Sequence, residues 1–168
     1  MLENINCPLT ELQTSYVIGR NEEEMATKVI YEVRTGSVDI HQLERAIEKI
    51  VIEQPALNSY VHDSRYLKLR KTIKPVNIPF TDISSRSEAE KEACISNMMN
   101  ELKLKVWDCR EGYPFTVAAV KMAEDDIRIF LDFDMLIFDG MSIKLFVDKI
   151  KYYYDDPERE PEVDSSFF

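Results

Sequence analysis

The chain has 168 residues, of which 45% are hydrophobic and 31% are charged, and its formal net charge is -10. This length and balance are typical of one globular domain with its own core. The acidic charge argues against a nucleic-acid partner, because such a partner requires a basic face that displaces counterions from phosphates.

The cysteines and the N-terminus give no targeting or redox signal. Cys7, Cys94 and Cys109 are widely spaced and include no CxxC pair, which predicts neither a disulfide framework nor a zinc site. The N-terminus lacks the basic and apolar regions of a signal peptide, and no apolar run approaches the roughly 18 residues of a membrane helix. We therefore expect a cytoplasmic protein with reduced thiols, no bound metal and no membrane partner.

The first predicted elements are a short helix and a strand. Thr10 is placed to cap a helix over Glu11 to Ile18, and Gly19 is placed to end it. The stretch from Thr27 to Thr35 alternates in polarity and is rich in Val, Ile and Tyr, which predicts a strand. The acidic run Glu22 to Glu24 between them is predicted to be a solvated loop.

A strong amphipathic helix and two short strands follow. Asp39 is predicted to cap the helix, and Pro55 is predicted to end it. The apolar residues that recur at helical spacing are Ile40, Leu43, Ala46, Ile47, Ile50 and Val51. Ala56 to His62 and Tyr66 to Thr72 are predicted strands, joined by a turn at Asp63-Ser64-Arg65.

The middle of the chain is predicted to be an extended segment, a loop and a long helix. Two prolines forbid a helix in Lys74 to Phe80, and Thr81 to Ser87 has the composition of a loop. Ser85 with Glu88 resembles a capping box that opens a helix to about Lys105. Its predicted buried stripe is Ala89, Ala93, Met98 or Met99, Leu102 and Val106.

The last third predicts a hairpin and a closing helix. Phe115 to Met122 and Asp126 to Leu136 are predicted strands around an acidic turn. Met141 to Tyr154 is a predicted helix whose inward residues are Ile143, Phe146, Val147, Ile150 and Tyr153. The segment from Asp155 to Phe168 is predicted to be a loop. This order of elements predicts an α/β fold, a two-layer sandwich with a mixed sheet.

The predicted strand before the last helix carries two carboxylates in an otherwise apolar run. Residues two apart share a face of a strand, so Asp132 and Asp134 lie on one face. A buried carboxylate is costly unless it is compensated, so Asp134 requires an arginine, backbone donors, water or a substrate group. Asp139 is placed to cap the following helix, with Ser142 at its third position. Residue chemistry alone leaves structural and chemical roles open for Asp134 and for Asp139.

The remaining polar candidates have simpler interpretations. His41 and His62 are expected to be surface residues, because neither has a Cys, Asp or His partner at metal-ligand spacing. Tyr152-Tyr153-Tyr154 is expected to contribute core and helix edge rather than a stacking platform.

Two motifs resemble one family. Asp134, Asp139 and Ser142 resemble the DxxxxDxxS motif of heterocyclisation domains in nonribosomal peptide synthetases, which replaces the HHxxxDG motif of ordinary condensation domains. The stretch Cys7-Pro-Leu-Thr-Glu-Leu-Gln-Thr-Ser-Tyr-Val-Ile-Gly-Arg20 resembles the family's opening PLTxxQxAYxxGR, with Ser15 where Ala is usual. The resemblance covers nearly the whole chain.

The resemblance implies one lobe of a chloramphenicol acetyltransferase-like fold. Residues 1–155 would form the N-terminal lobe, and residues 156–168 would form a loop that leads toward a second lobe. The motif residues carried over as catalytic candidates are Asp134 and Asp139, and those carried over as support for the motif or substrate channel are Ser142, Arg20, Gln13 and Tyr16. We expect Asp139 to cap its helix and to pair with Arg20, and Asp134 to face the tunnel between the lobes.

The resemblance also implies an activity. Heterocyclisation domains condense an acyl thioester with carrier-bound Cys, Ser or Thr and cyclodehydrate the product to a thiazoline or oxazoline, as in siderophores. The implied partners are peptidyl or aryl carrier domains, whose phosphopantetheine carries the substrates, and the C-terminal lobe; no cofactor is bound directly. Met135 lies where ordinary condensation domains have the His linked to the amine, and methionine cannot transfer a proton. We expect the lobe to be inactive alone.

One departure and two alternatives accompany this interpretation. Glu53-Gln54 lies where the family usually has Arg-His, which puts activity in question. A stand-alone acyltransferase or a degenerate relative of the same fold is opposed by Met135, because such proteins usually keep a His there. A non-catalytic half that docks a partner chain or a carrier domain is the other alternative.

Overall fold

The computed structural model describes residues 6–23, 27–108 and 110–164. Within these ranges the chain forms two sheets and four α-helices. In chain order the elements are β1 Asn6–Pro8, α1 Glu11–Glu23, β2 Lys28–Thr35, α2 Ile40–Glu53, a 3-10 turn Pro55–Asn58, β3 Ser59–His62, β4 Tyr66–Leu69, β5 Phe80–Asp82, α3 Glu88–Leu104, β6 Phe115–Ala123, β7 Asp126–Asp134 and α4 Gly140–Tyr154.

The larger sheet carries the main core. Its strand order is β2-β7-β6-β5, with β5 parallel to β6 and the other neighbours antiparallel. Helices α2 and α4 pack on one face, where the apolar side of α2 meets inward residues of β6, β7 and α4. Among the buried members are Ile47, Ile50, Val117, Leu131, Phe133, Phe138 and Phe146. The predicted α/β class with a mixed sheet is confirmed.

The opposite face of the larger sheet packs against α3. Phe130 and Val120 lie on this face and contact Leu102 and Ile83, whereas Leu131 and Phe133 face α2 and α4. The two-residue alternation predicted for β7 is therefore confirmed. Charged groups follow Phe130 along the same face toward the end of the strand.

The smaller sheet positions α1 beside the end of β7. Its order is β1-β4-β3, all antiparallel. Val17 of α1 packs with Val61 and Leu67 of this sheet and with Leu136, which follows β7. The opening segment of the chain therefore contacts the segment that follows the last strand, although more than a hundred residues separate them.

Several predicted boundaries were wrong for identifiable reasons. Helix α1 continues through Gly19 to Glu23, because Gly19 does not adopt the positive φ that ends a helix. The capping box of α3 is formed by Ser87 and Glu90, two residues beyond the predicted pair. Strand β5 lies where the sequence predicts an extended segment and a loop, because a strand of three residues is too short to show alternating polarity.

The predicted buried faces of α3 and α4 need correction. Ala89, Ala93 and Val106 are exposed, and the side of α3 that faces the sheet carries Cys94, Ile95, Met98 and Leu102. Val147 of α4 is 37% exposed, whereas Ile143, Phe146 and Tyr153 are buried as predicted. Few residues of α3 are buried against the sheet, so its sequence shows only a weak apolar periodicity. The buried face predicted from that periodicity was therefore partly wrong.

The histidines and tyrosines match their sequence-based interpretation. His41 is exposed and contacts Glu44, and His62 contacts Asp63. Tyr153 is buried, whereas Tyr152 is exposed.

The residues of the structure that are described contain no grouping of His, Cys, Asp and Glu that could hold a metal ion, and none of their helices is long and apolar enough to cross a membrane. Cys109, the side chains of the 22–24 acidic run and the end of the chain at 165–168 lie outside the described residues.

Glu53 joins the two helices of the main core. Its side chain accepts hydrogen bonds from the Tyr153 hydroxyl at 2.7 Å and from Lys149 Nζ at 2.6 Å, both on α4. Burial raises the pKa of Tyr153 above its ordinary value, and the hydrogen bond to Glu53 adds to the effect. The glutamate at this departure from the family pattern therefore holds α2 against α4.

Replacing Glu53 by Leu should destabilise the lobe. The change leaves the buried Tyr153 hydroxyl without its acceptor and Lys149 without its carboxylate, so the free energy of unfolding should fall by about 1–3 kcal/mol. Urea unfolding followed by circular dichroism measures this. The matched control is Glu92→Leu on the exposed side of α3, which should change little; equal losses in both variants would contradict the role of Glu53.

Candidate functional site

Asp134 is the last residue of β7, and its carboxylate is buried and paired. Arg20 of α1 binds it through two bonds, Nη2 to Oδ1 at 2.7 Å and Nη1 to Oδ2 at 3.0 Å. The Leu136 backbone N–H also donates to Oδ1 at 3.0 Å. The side chains of Arg20 and Asp134 are each 4% exposed. The arginine anticipated as one way of compensating this carboxylate is therefore present.

The backbone that follows Asp134 folds into a tight turn against neighbouring elements. The Asp134 carbonyl accepts hydrogen bonds from the N–H groups of Ile137 and Phe138, at 3.2 and 3.0 Å. The Gln13 side-chain amide of α1 donates to the Leu136 carbonyl at 2.9 Å. Two residues of the opening motif, Gln13 and Arg20, thus hold the turn that links the two motif aspartates.

Asp139 is exposed and caps α4. Its Oδ1 accepts from the Ser142 backbone N–H and from the Ser142 hydroxyl, both at 2.7 Å. These two hydrogen bonds hold the pKa of Asp139 below its ordinary value, so its carboxylate is ionised over a wide pH range. The predicted cap is present, but the predicted Asp139–Arg20 pair was wrong. Arg20 lies beside the end of β7 and reaches Asp134, which precedes the turn.

Asp132, to which the sequence pattern assigned no role, lies in an environment different from that of Asp134. Its side chain is fully buried, and Lys28 Nζ lies 3.1 Å from its Oδ2. Lys28 Nζ also donates to the Leu102 carbonyl at 2.6 Å. Burial raises the pKa of Asp132, and the hydrogen bond from Lys28 opposes that rise. The two-residue alternation that singled out Asp134 applies equally to Asp132, so a signal was available.

The other motif residues have packing roles. Tyr16 packs against the cluster of the smaller sheet. Met135 is half-buried against the main core, and its N–H donates to the Thr27 carbonyl at 3.0 Å. The thioether side chain of Met135 has no group that can accept or donate a proton in a reaction. Gln13 also closes a capping pair with Thr10 at the start of α1, which confirms the predicted cap.

The chemistry of the two motif aspartates follows from their bonds. Both oxygens of Asp134 are engaged by Arg20, so this carboxylate fixes α1 against the end of β7. Asp139 presents an ionised, exposed carboxylate whose hydrogen-bonded oxygen orders the first turn of α4. The hydrogen bonds of Asp134 and Asp139 thus hold the two ends of the turn that joins β7 to α4.

Comparison with known proteins assigns the family. The condensation-domain family model matches residues 5–166, so the chain belongs to the condensation-domain family of nonribosomal peptide synthetases. Bacitracin synthase 1 of Bacillus licheniformis is 25% identical over 172 aligned residues, which cover 98% of this chain and 3% of that protein.

Solved structures show the same fold. The cyclization-docking bidomain of EpoB from Sorangium cellulosum aligns with a TM-score of 0.84 at 21% identity, over 96% of this chain and 33% of that one. The starter condensation domain of the rhizomide synthetase RzmA aligns with a TM-score of 0.78 at 16% identity, over 95% of this chain and 40% of that one. The chain therefore corresponds to the N-terminal portion of a condensation domain and spans well under two thirds of these relatives.

Removal of Asp134 should cost much more stability than removal of Asp139. Asp134→Ala leaves a buried guanidinium without its carboxylate from β7, so the free energy of unfolding should fall by about 3–5 kcal/mol. Asp139→Ala removes an exposed helix cap and should cost about 1 kcal/mol. Urea unfolding of both variants measures the difference, and equal costs would contradict a structural ion pair at Asp134.

Asp132 should make stability depend on pH with a defined sign. Its pKa in the folded state is raised above the ordinary value of 3.8, so its contribution to stability is largest below that value and is lost as pH rises through the folded-state pKa. Asparagine does not titrate. The stability of the wild type relative to Asp132→Asn should therefore fall as pH rises from below 3.8 through the folded-state pKa. Asp125→Asn, in the exposed β6–β7 turn, is the reference variant; a relative stability that rises with pH would contradict the assignment.

Proposed function

We propose that this lobe is the N-terminal part of a heterocyclisation domain, which joins an acyl thioester to a carrier-bound Cys, Ser or Thr and cyclodehydrates the amide to a thiazoline or oxazoline. The observation that carries the proposal is Met135. By the resemblance, it lies where an ordinary condensation domain has a proton-transferring His, and its half-buried side chain packs against the main core. Aspartates at 134 and 139 with Ser142 support the same assignment.

In this proposal the lobe shapes the site, and its partner lobe supplies acid–base groups. Cyclodehydration needs a base for the side-chain nucleophile and an acid for the departing oxygen. Both oxygens of Asp134 are bonded to Arg20, which favours a supporting role for it. Asp139 is exposed and ionised, so it is the motif carboxylate that could face a substrate.

The proposal also includes the partners. Residues 1–155 would form the lobe, and 156–168 would lead to a second lobe with which it encloses the tunnel. Peptidyl or aryl carrier domains would present both substrates on phosphopantetheine, without a cofactor bound to the lobe itself. The lobe alone would be inactive, because half of the tunnel wall would be missing.

A reconstituted synthetase tests the proposal. A polypeptide in which this lobe is joined to its second lobe, with carrier domains loaded with an acyl group and with cysteine, should yield a product one water lighter than the linear amide by mass spectrometry. Asp139→Asn should lower the yield of the cyclised product, and Glu92→Gln on exposed α3 should leave it unchanged. A wild-type enzyme that releases only the linear amide would assign it to ordinary condensation.

A non-catalytic docking half is the second candidate. Met141 and Leu145 are 76% and 48% exposed on α4, one turn apart and next to the motif. An exposed apolar pair of this kind favours burial against another chain or lobe. Under this alternative the isolated lobe should self-associate in light scattering, and Leu145→Glu should restore a monomer. A wild-type monomer counts against the docking half.

A further inference from the structure

A small apolar cavity lies against the turn between the two motif aspartates. Its volume is about 130 Å³, it is open to solvent on one side, and it is bordered by the end of α2, the 3-10 turn, the motif turn and α4. The apolar walls are formed by Ile50, Leu57, Ile137, Phe138, Leu145 and Phe146. Ile137 and Phe138 are residues of the DxxxxD motif itself, so a group in this cavity lies against the motif.

Gln54 supplies the available polar group of this cavity. Gln54 is a half-buried lining residue of the cavity, and its side-chain amide makes no hydrogen bond to any residue in the described ranges. The other two polar residues of the wall are engaged. The Ser142 hydroxyl donates to Asp139 at 2.7 Å, and Lys149 Nζ donates to Glu53 at 2.6 Å. A ligand would therefore find apolar walls and one amide that offers both a donor and an acceptor.

We propose that this cavity is a binding site for a small aromatic or branched apolar group that carries one hydrogen-bonding substituent, with Gln54 as the residue that selects the substituent. A closed apolar protein cavity of about 150 Å³ binds benzene, so the volume of this partly open cavity suits a group of about one aromatic ring. On the proposed function, on which this assignment of a substrate rests, the occupant is the acyl group of the upstream thioester. The alternative occupants, the side chains of Cys, Ser and Thr, are too small and too polar for these walls.

Phenol and toluene test the cavity in the isolated lobe. The two probes have the same shape and differ in a hydroxyl against a methyl group. In titrations of the ¹⁵N-labelled protein, both should shift amide resonances at Ile137 and Phe146, and phenol should bind more tightly. Gln54→Leu should weaken phenol binding about fivefold, as the loss of one neutral hydrogen bond predicts, and should leave toluene binding unchanged or stronger.

A size-matched pair of variants controls for indirect effects. Ala56→Leu places a larger side chain in the cavity wall and should abolish binding of both probes, whereas Ala89→Leu on the exposed side of α3 should leave both unchanged. Circular dichroism establishes that each variant is folded. Should Ala56→Leu fail to fold, the ratio of phenol to toluene affinity in Gln54→Leu still decides the role of Gln54.

The outcomes separate this inference from the proposed function. Absent shifts at saturating probe, or equal losses in the two alanine variants, overturn the cavity site, whatever the synthetase produces. Probe binding to the lobe together with a linear amide as the synthetase product keeps the cavity and overturns heterocyclisation. An unchanged phenol-to-toluene ratio in Gln54→Leu removes Gln54 as the selecting residue.

Discussion

The bidentate ion pair between Arg20 and Asp134 is the interaction on which the geometry of this lobe depends. It joins a helix near the start of the chain to the last strand of the larger sheet, and both charges are withdrawn from water. In such surroundings an arginine is favoured over a lysine, because its fork satisfies both carboxylate oxygens at once. The turn after β7 begins at this pair and leads into the cap of α4.

Much of this arrangement could be predicted from local pattern, and the rest could not. Alternation along β7 put Asp132 and Asp134 on one face, and the sequence Asp139-Gly-Met-Ser142 predicted a helix cap; both are local properties. The choice of Asp134 as the partner of Arg20 depends on where α1 lies against the sheet, which is tertiary. The predicted end of α1 at Gly19 was wrong because this glycine does not adopt the positive φ that ends a helix.

The departure at Glu53-Gln54 separates into two different consequences. At position 53 this chain has a negatively charged Glu where the family pattern has a positively charged Arg. Lys149 and the hydroxyl of Tyr153, both on α4, donate hydrogen bonds to this Glu. In this chain Glu53 is therefore a polar link between α2 and α4. Gln54 lines the apolar cavity beside the motif turn and carries an amide with no hydrogen bond among the described residues. A substitution that suggested lost activity thus combines a compensated structural contact with a polar group that is free to bind.

The two aspartates of β7 show how neighbouring carboxylates on one face come to differ. Lys28 lies opposite Asp134 in the strand register, yet its ammonium bonds to Asp132, two residues away on the same face. Arg20 already occupies both oxygens of Asp134, so the remaining cation goes to the deeper carboxylate. Lysine offers a single point of charge where arginine offers two parallel bonds, and burial is the largest influence on the pKa of Asp132. On this face, Arg20 and Lys28 therefore pair with Asp134 and Asp132 respectively. In the proposed function, the side of the turn that carries Asp139 and Ser142 is the one that faces substrate.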